Sequence, residues 1–146
     1  MTGRRVPPVL VALWAVDLAC VGTGTGGDAS SCPAGDSQAD SAVSFVADIL
    51  PLFNSKGCLA TGCHGGLFPV SGYRLDTYNA SFGPGDEARA LGACNVVPGD
   101  PASSYLIEKL GPGPRSGEQM PLVGEPLNDD EVELLATWIR DGAPEN

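Results

Sequence analysis

Two cysteines and the chain's single histidine fall within one short stretch, GCLATGCHGG, residues 57–66. Four residues separate Cys58 from Cys63, and His64 follows directly. On a regular α-helix five residues advance about 500°, leaving two side chains about 140° apart, whereas three residues advance about 300° and leave them far closer in direction. A fold that uses both thiols together therefore needs a local loop between them. Thr61-Gly62 is the place for it, because glycine tolerates dihedrals that other residues avoid. The wider chain suits such a loop: 20 Gly and 13 Pro among 146 residues, with 6% aromatics, describe a loop-rich protein with a thin core. A core of that kind gains from crosslinks or a buried cofactor. The length suits one domain plus processing or linker segments.

Cys-x-x-Cys-His is the attachment signature of c-type haem, and the present motif is an expanded form of it. In that chemistry the thiols add to the two porphyrin vinyl groups, and the adjacent histidine becomes the proximal iron ligand. A second axial ligand serves electron transfer, and methionine there raises the potential. Met120, in GEQMPLVG, is the only methionine besides Met1. Its Gly/Pro-rich surroundings suit an axial ligand better than a gap-filling core residue, which is the other reading.

Rival uses of the cluster remain open from the residues alone. A zinc site would combine Cys58, Cys63 and His64 with Cys32 or Cys94, although the adjacent Cys63 and His64 rarely converge on one ion. A Cys58–Cys63 disulfide would close a small loop and leave His64 on the surface. Blue copper needs two histidines and is excluded. One scheme employs all five cysteines: Cys20 lipidated, Cys58 and Cys63 in thioethers, Cys32 and Cys94 in a disulfide pinning the N-terminal segment to the domain. The sequence does not fix that pairing.

The N-terminus reads as a targeting segment over residues 1–19. MTGRR supplies positive charge, and VPPVLVALWAV is apolar but too short to span a bilayer. It ends in DLAC, where Ala19-Cys20 fits a bacterial lipoprotein processing site, while Asp17 and Leu18 depart from the usual pattern. Lipidation of Cys20, simple secretion and a retained anchor all put the domain outside the cytoplasm, where disulfides persist. Residues 20–41 are small, polar and Gly-rich, a flexible tether that leads into a domain over 42–146.

Helical periodicity predicts a first helix over about Ser41–Ser55. Its apolar stripe is Val43, Val46, Ile49, Leu50 and Phe53, it bends or shortens at Pro51, and it stops at Gly57. Residues 65–100 read as mostly loop, with a short helix from Thr77. Asp100 and Pro101 open a helix that buries Leu106, Ile107 and Leu110. Asn128 and Glu131 form a capping box for a last helix, with Leu127 and Val132 as its staple and Gly142 as its stop. Its stripe is Val132, Leu135 and Ile139, with Leu134 and Trp138 beside it. No strand pattern emerges, so the expected fold class is all-α with long loops. A net charge of −10 argues against nucleic acid or an anionic membrane surface as partners.

Several segments together resemble the cytochrome c-like domains of secreted and lipid-anchored proteins of planctomycetes and myxobacteria. The resemblance runs from about Val46 to Ala143. It is carried by DILPLFNSKGC before the motif, GYRLDTYNASF, VVPGDPASSYLIEKL and QMPLVGEPLNDDEVELLATWIRDGA, in the family's order. Planctomycete members mostly keep two residues between the thiols, and the longer spacing resembles the myxobacterial variants. The resemblance implies a small helical domain around one covalent haem c. Cys58 and Cys63 would be its thioether attachments, His64 the proximal iron ligand and Met120 the distal one. The expected role is an electron carrier rather than an enzyme, periplasmic or outer-membrane-associated, serving a redox partner protein and held to the membrane by a lipid anchor. A non-redox lipoprotein interaction module with this fold and a haem-based gas or redox sensor are the alternatives. Trp138 is a candidate for the haem edge or plain core. Arg74 and Arg115 are candidates for a haem propionate or, more simply, solvated charges. Asp129, Asp130 and Glu131 read as helix-cap chemistry.

Overall fold

The computed structural model describes residues 32–146. The expected signal peptide, Cys20 and the tether as far as residue 31 lie outside the described residues. Those described are helical, with no strand among them. A π-helical turn (Phe45–Ile49) runs directly into α1 (Leu50–Ser55). The short helices α2 (Tyr78–Ser81), α3 (Asp86–Ala90) and α4 (Tyr105–Leu110) follow, then the long α5 (Asp129–Arg140). Helix α5 packs against α4 and the π turn.

The first helical segment begins later than its periodicity predicts. Ser44 is its cap, its hydroxyl accepting the Ala47 N–H at 3.0 Å. The wider winding changes which residues face inward: Phe45, Ile49 and Phe53 are buried, whereas Val46 is 59% exposed. Pro51 follows the π turn within the same continuous helical segment, so its missing N–H leaves one carbonyl of the preceding turn without a main-chain donor. At the other end Gly57 takes φ +73°, the Gly57 N–H donates to the Asn54 carbonyl and the Cys58 N–H to that of Phe53. This paired left-handed cap ends the helix and delivers Cys58 at a fixed place beside Phe53.

α5 shows both halves of the capping box: Asn128 accepts the Glu131 N–H at 2.9 Å, and the Glu131 carboxylate accepts the Asn128 N–H at 2.8 Å. Gly142, φ +96°, closes the helix with the same paired cap used at Gly57, through Gly142 N–H to Ile139 and Ala143 N–H to Trp138. Leu135, Trp138 and Ile139 are wholly buried, while Val132 and Leu134 pack at the core's margin. Trp138 donates its indole N–H to the Pro144 carbonyl at 2.8 Å and packs against Phe45 and Phe82. That makes it core.

The Asp100 helix differs from its sequence reading. Asp100 caps only a 3₁₀ turn over Pro101–Ser103, accepting the Ser103 N–H at 3.1 Å. Ser104 is extended and buried, its hydroxyl donating to the Asp100 carbonyl and accepting the Val97 N–H, and α4 starts after it. The reading of residues 65–100 as mostly loop with one short helix also missed α3.

Cys32 and Cys94 are joined in a disulfide, with Cα atoms 5.5 Å apart. Beyond it the Asp36 N–H donates to the Gly142 carbonyl, and Ser41 donates to the Asp141 carboxylate. Gly35 approaches Tyr78 and Ala143 so closely that a side chain there would overlap both. The packed structure thus takes in residues 32–41, which composition assigned to the tether.

Candidate functional site

The two thiols and the histidine stand on a chain of successive turns that begins where α1 ends. The Ala60 N–H bonds to the Gly57 carbonyl, the Cys63 N–H to Ala60, and the His64 N–H reaches back to Cys58 at 2.8 Å. That last bond closes the loop between the thiols, and Gly62 at φ +83° supplies the left-handed residue that lets it close. Gly65 lies so near the Leu59 carbonyl that any side chain there would collide with backbone. The loop is therefore compact, with its extra two residues folded in.

Downstream backbone holds the histidine. The Leu75 N–H donates to the His64 carbonyl and the Val70 N–H to that of Cys63, each at 2.8 Å. His64 Nδ1 lies 2.9 Å from the Tyr73 carbonyl oxygen. A carbonyl can only accept, so Nδ1 is the donor, and in the neutral ring Nε2 then keeps its lone pair, the arrangement of a metal-ligating imidazole. Tyr73 is itself fixed, its ring against the imidazole and its buried hydroxyl donating to the Ser81 carbonyl at 3.0 Å. Burial pushes the Tyr73 hydroxyl far above its ordinary pKa, so it stays a neutral donor.

Met120 arrives from the other side. The Met120 N–H donates to the Lys109 carbonyl at 2.8 Å and the Gln119 amide to that of Leu110 at 2.8 Å. These are among the last carbonyls of α4, which have no partner inside the helix, so the helix end pins the Met loop. Cys58, Cys63, His64 and Met120 all line one cleft, together with Phe53, Leu75 and Leu106. The cleft encloses about 130 Å³ behind an open mouth, and its walls are almost wholly apolar. Leu122 and Val123 at its border are 62% and 75% exposed.

Cys58 and Cys63 are free thiols, both half-buried, and His64 is half-buried as well. The reading of a Cys58–Cys63 disulfide with a surface histidine is thereby set aside. Burial raises the Cys58 pKa and keeps it a protonated thiol at neutral pH. Cys32 and Cys94 are occupied with each other, and no group of three or more His, Cys, Asp or Glu side chains converges among the described residues. The four-ligand zinc arrangement thus has no donors to complete it there. The residues present fit a haem instead: two free thiols beside a histidine with an available Nε2, a thioether on the same cleft, and apolar walls for a flat macrocycle.

Neither arginine singled out in the sequence reaches the cleft. Arg74 pairs with Asp76 at 2.9 Å and Arg115 with Glu108 at 2.7 Å. Two polar residues that sequence reasoning passed over, Lys109 and Glu87, do line it. Comparison with protein-family models, with curated proteins and with solved structures finds no match to this chain.

Proposed function

We propose that this chain is a monohaem c-type cytochrome domain that carries single electrons outside the cytoplasm. The observation that carries the reading is the bond from His64 Nδ1 to the Tyr73 carbonyl, which leaves Nε2 as a ligand in the same apolar cleft as Cys58, Cys63 and Met120. A haem held there supplies the reversible one-electron couple of its iron. Cys58 and Cys63 would hold it through thioethers, so that it cannot be lost to the surroundings. His64 and Met120 would be its axial ligands, the thioether of Met120 favouring the reduced state. Phe53, Leu75 and Leu106 exclude water and keep the local dielectric low. The exposed Leu122 and Val123 border the mouth, where a redox partner protein would approach.

The Cys32–Cys94 disulfide supports an oxidising compartment. No helix among the described residues is long and apolar enough to cross a membrane, and attachment through a lipid on Cys20 fits the N-terminal sequence. The test is expression with haem-maturation genes, followed by the pyridine haemochrome spectrum and reductive titration of the purified protein. A c-type spectrum that interconverts reversibly with one electron supports the carrier. Covalent haem that binds carbon monoxide readily in the native ferrous protein supports a sensor instead. Absence of covalent haem overturns both and leaves the interaction module.

A further inference from the structure

Among the described residues Lys109 is the only lysine or arginine lining the cleft, and it is 8% exposed. Lysine is rarely buried to that degree without a partner, because the ammonium loses its hydration. Its Nζ donates to the Ser116 carbonyl at 3.0 Å and pairs with Glu87 Oε2 at 3.0 Å. An ammonium has three protons, and these contacts use two. The Glu87 side chain is 36% exposed, against 10% for Lys109, so the carboxylate stays partly hydrated while the cation is drawn inward. The Tyr105 hydroxyl sits 3.3 Å from the same Glu87 oxygen and 3.1 Å from the Ser116 carbonyl. It too lines the cleft, with one proton for two acceptors.

Lys109, Glu87 and Tyr105 thus form a connected polar cluster among the lining residues of an otherwise apolar cleft. We infer that Lys109, supported by Tyr105 and Glu87, is the anchor for an anionic carboxylate of the bound cofactor, namely one of the two propionates of the haem. This rests on the haem reading above and adds an orientation to it: the macrocycle lies with one propionate against α4, on the element that also pins Met120 through the Lys109 carbonyl. Glu87 keeps the ammonium in place, and its partial exposure limits the repulsion between two carboxylates on one cation. Arg74 and Arg115, each paired with an acid away from the cleft, have no part in it.

The test uses the haem-loaded full chain. In the reduced wild-type protein, nuclear Overhauser contacts are expected between the Lys109 ε-protons and the methylene protons of one propionate. Lys109→Met should lower the midpoint potential, because a positive charge next to the haem favours the reduced state, and should average that propionate's methylene signals. Lys109→Arg should restore most of both. If wild-type protein carries haem but shows no such contact, and Lys109→Met leaves the potential unchanged, Lys109 serves only to pair with Glu87 and this assignment falls alone. If wild-type protein carries no haem, the assignment and the cytochrome reading fall together. Should Lys109→Met fail to fold, the wild-type contacts and the Lys109→Arg potential still decide.

Discussion

The His64 ring is oriented by a main-chain oxygen rather than by another side chain, so substitution of neighbouring side chains leaves that acceptor in place. Met120 has no such constraint on its sulfur. Met120→Ala in the haem-loaded protein is expected to abolish the sulfur–iron charge-transfer band and lower the midpoint potential, read by absorption and redox titration, while haem attachment persists. Within the thiol loop the glycines should separate sharply. A methyl group at Gly62 meets nothing within 4 Å but sits at φ +83°, a strain of about 1–2 kcal/mol. One at Gly65 would collide with the Leu59 carbonyl, so backbone must move. Gly65→Ala should therefore cut the yield of covalent haem per polypeptide far more than Gly62→Ala, measured by haemochrome. The sequence singles out Cys58, Cys63, His64 and Met120 because few residue types do that chemistry and each occurs sparingly here, and the fold brings all four to one cleft. Lys109 was not, because a lysine in the last turn of YLIEKL reads as a helix-dipole partner on a solvated face. Only the fold turns it toward the cleft.

The helices show which local signals survive tertiary packing. α5 follows its sequence closely, since capping box, apolar stripe and terminal glycine all point the same way. Asn128→Ala should cost about 1 kcal/mol of stability through loss of the cap to Glu131, read as a lower denaturant midpoint with unchanged slope. Where signals conflict, boundaries move. The π turn before α1 shifts the inward face from Val46 to Phe45, which a fixed period of 3.6 residues does not anticipate. Ser104 splits the Asp100 helix because its buried hydroxyl bonds to Asp100 and Val97 more usefully than a helical backbone would. α3, five residues long, falls below the length at which periodicity can be recognised.

At the scale of the molecule, much of the chain between helices is loop, and long-range ties do the work that a larger core would. The Cys32–Cys94 bridge closes a separation of 62 residues, and hydrogen bonds from Asp36 and Ser41 fasten residues 32–41 to the residues that end α5. Replacing both cysteines by serine should lower stability by about 2–5 kcal/mol, measured by guanidinium unfolding of the oxidised wild type beside the variant. The all-α class was legible from periodicity, but the docking of residues 32–41 was not, since a segment of small and polar residues looks the same whether packed or free. The apolar cleft was equally hidden, because its walls come from segments spread between Phe53 and Val123. The whole account turns on whether that cleft holds a covalently attached haem. The most direct measurement is the intact mass of the denatured protein after expression with haem-maturation genes. The account predicts one haem added to the polypeptide, lost when Cys58 and Cys63 are both replaced by alanine. A mass equal to the bare chain with any N-terminal acyl groups would contradict it.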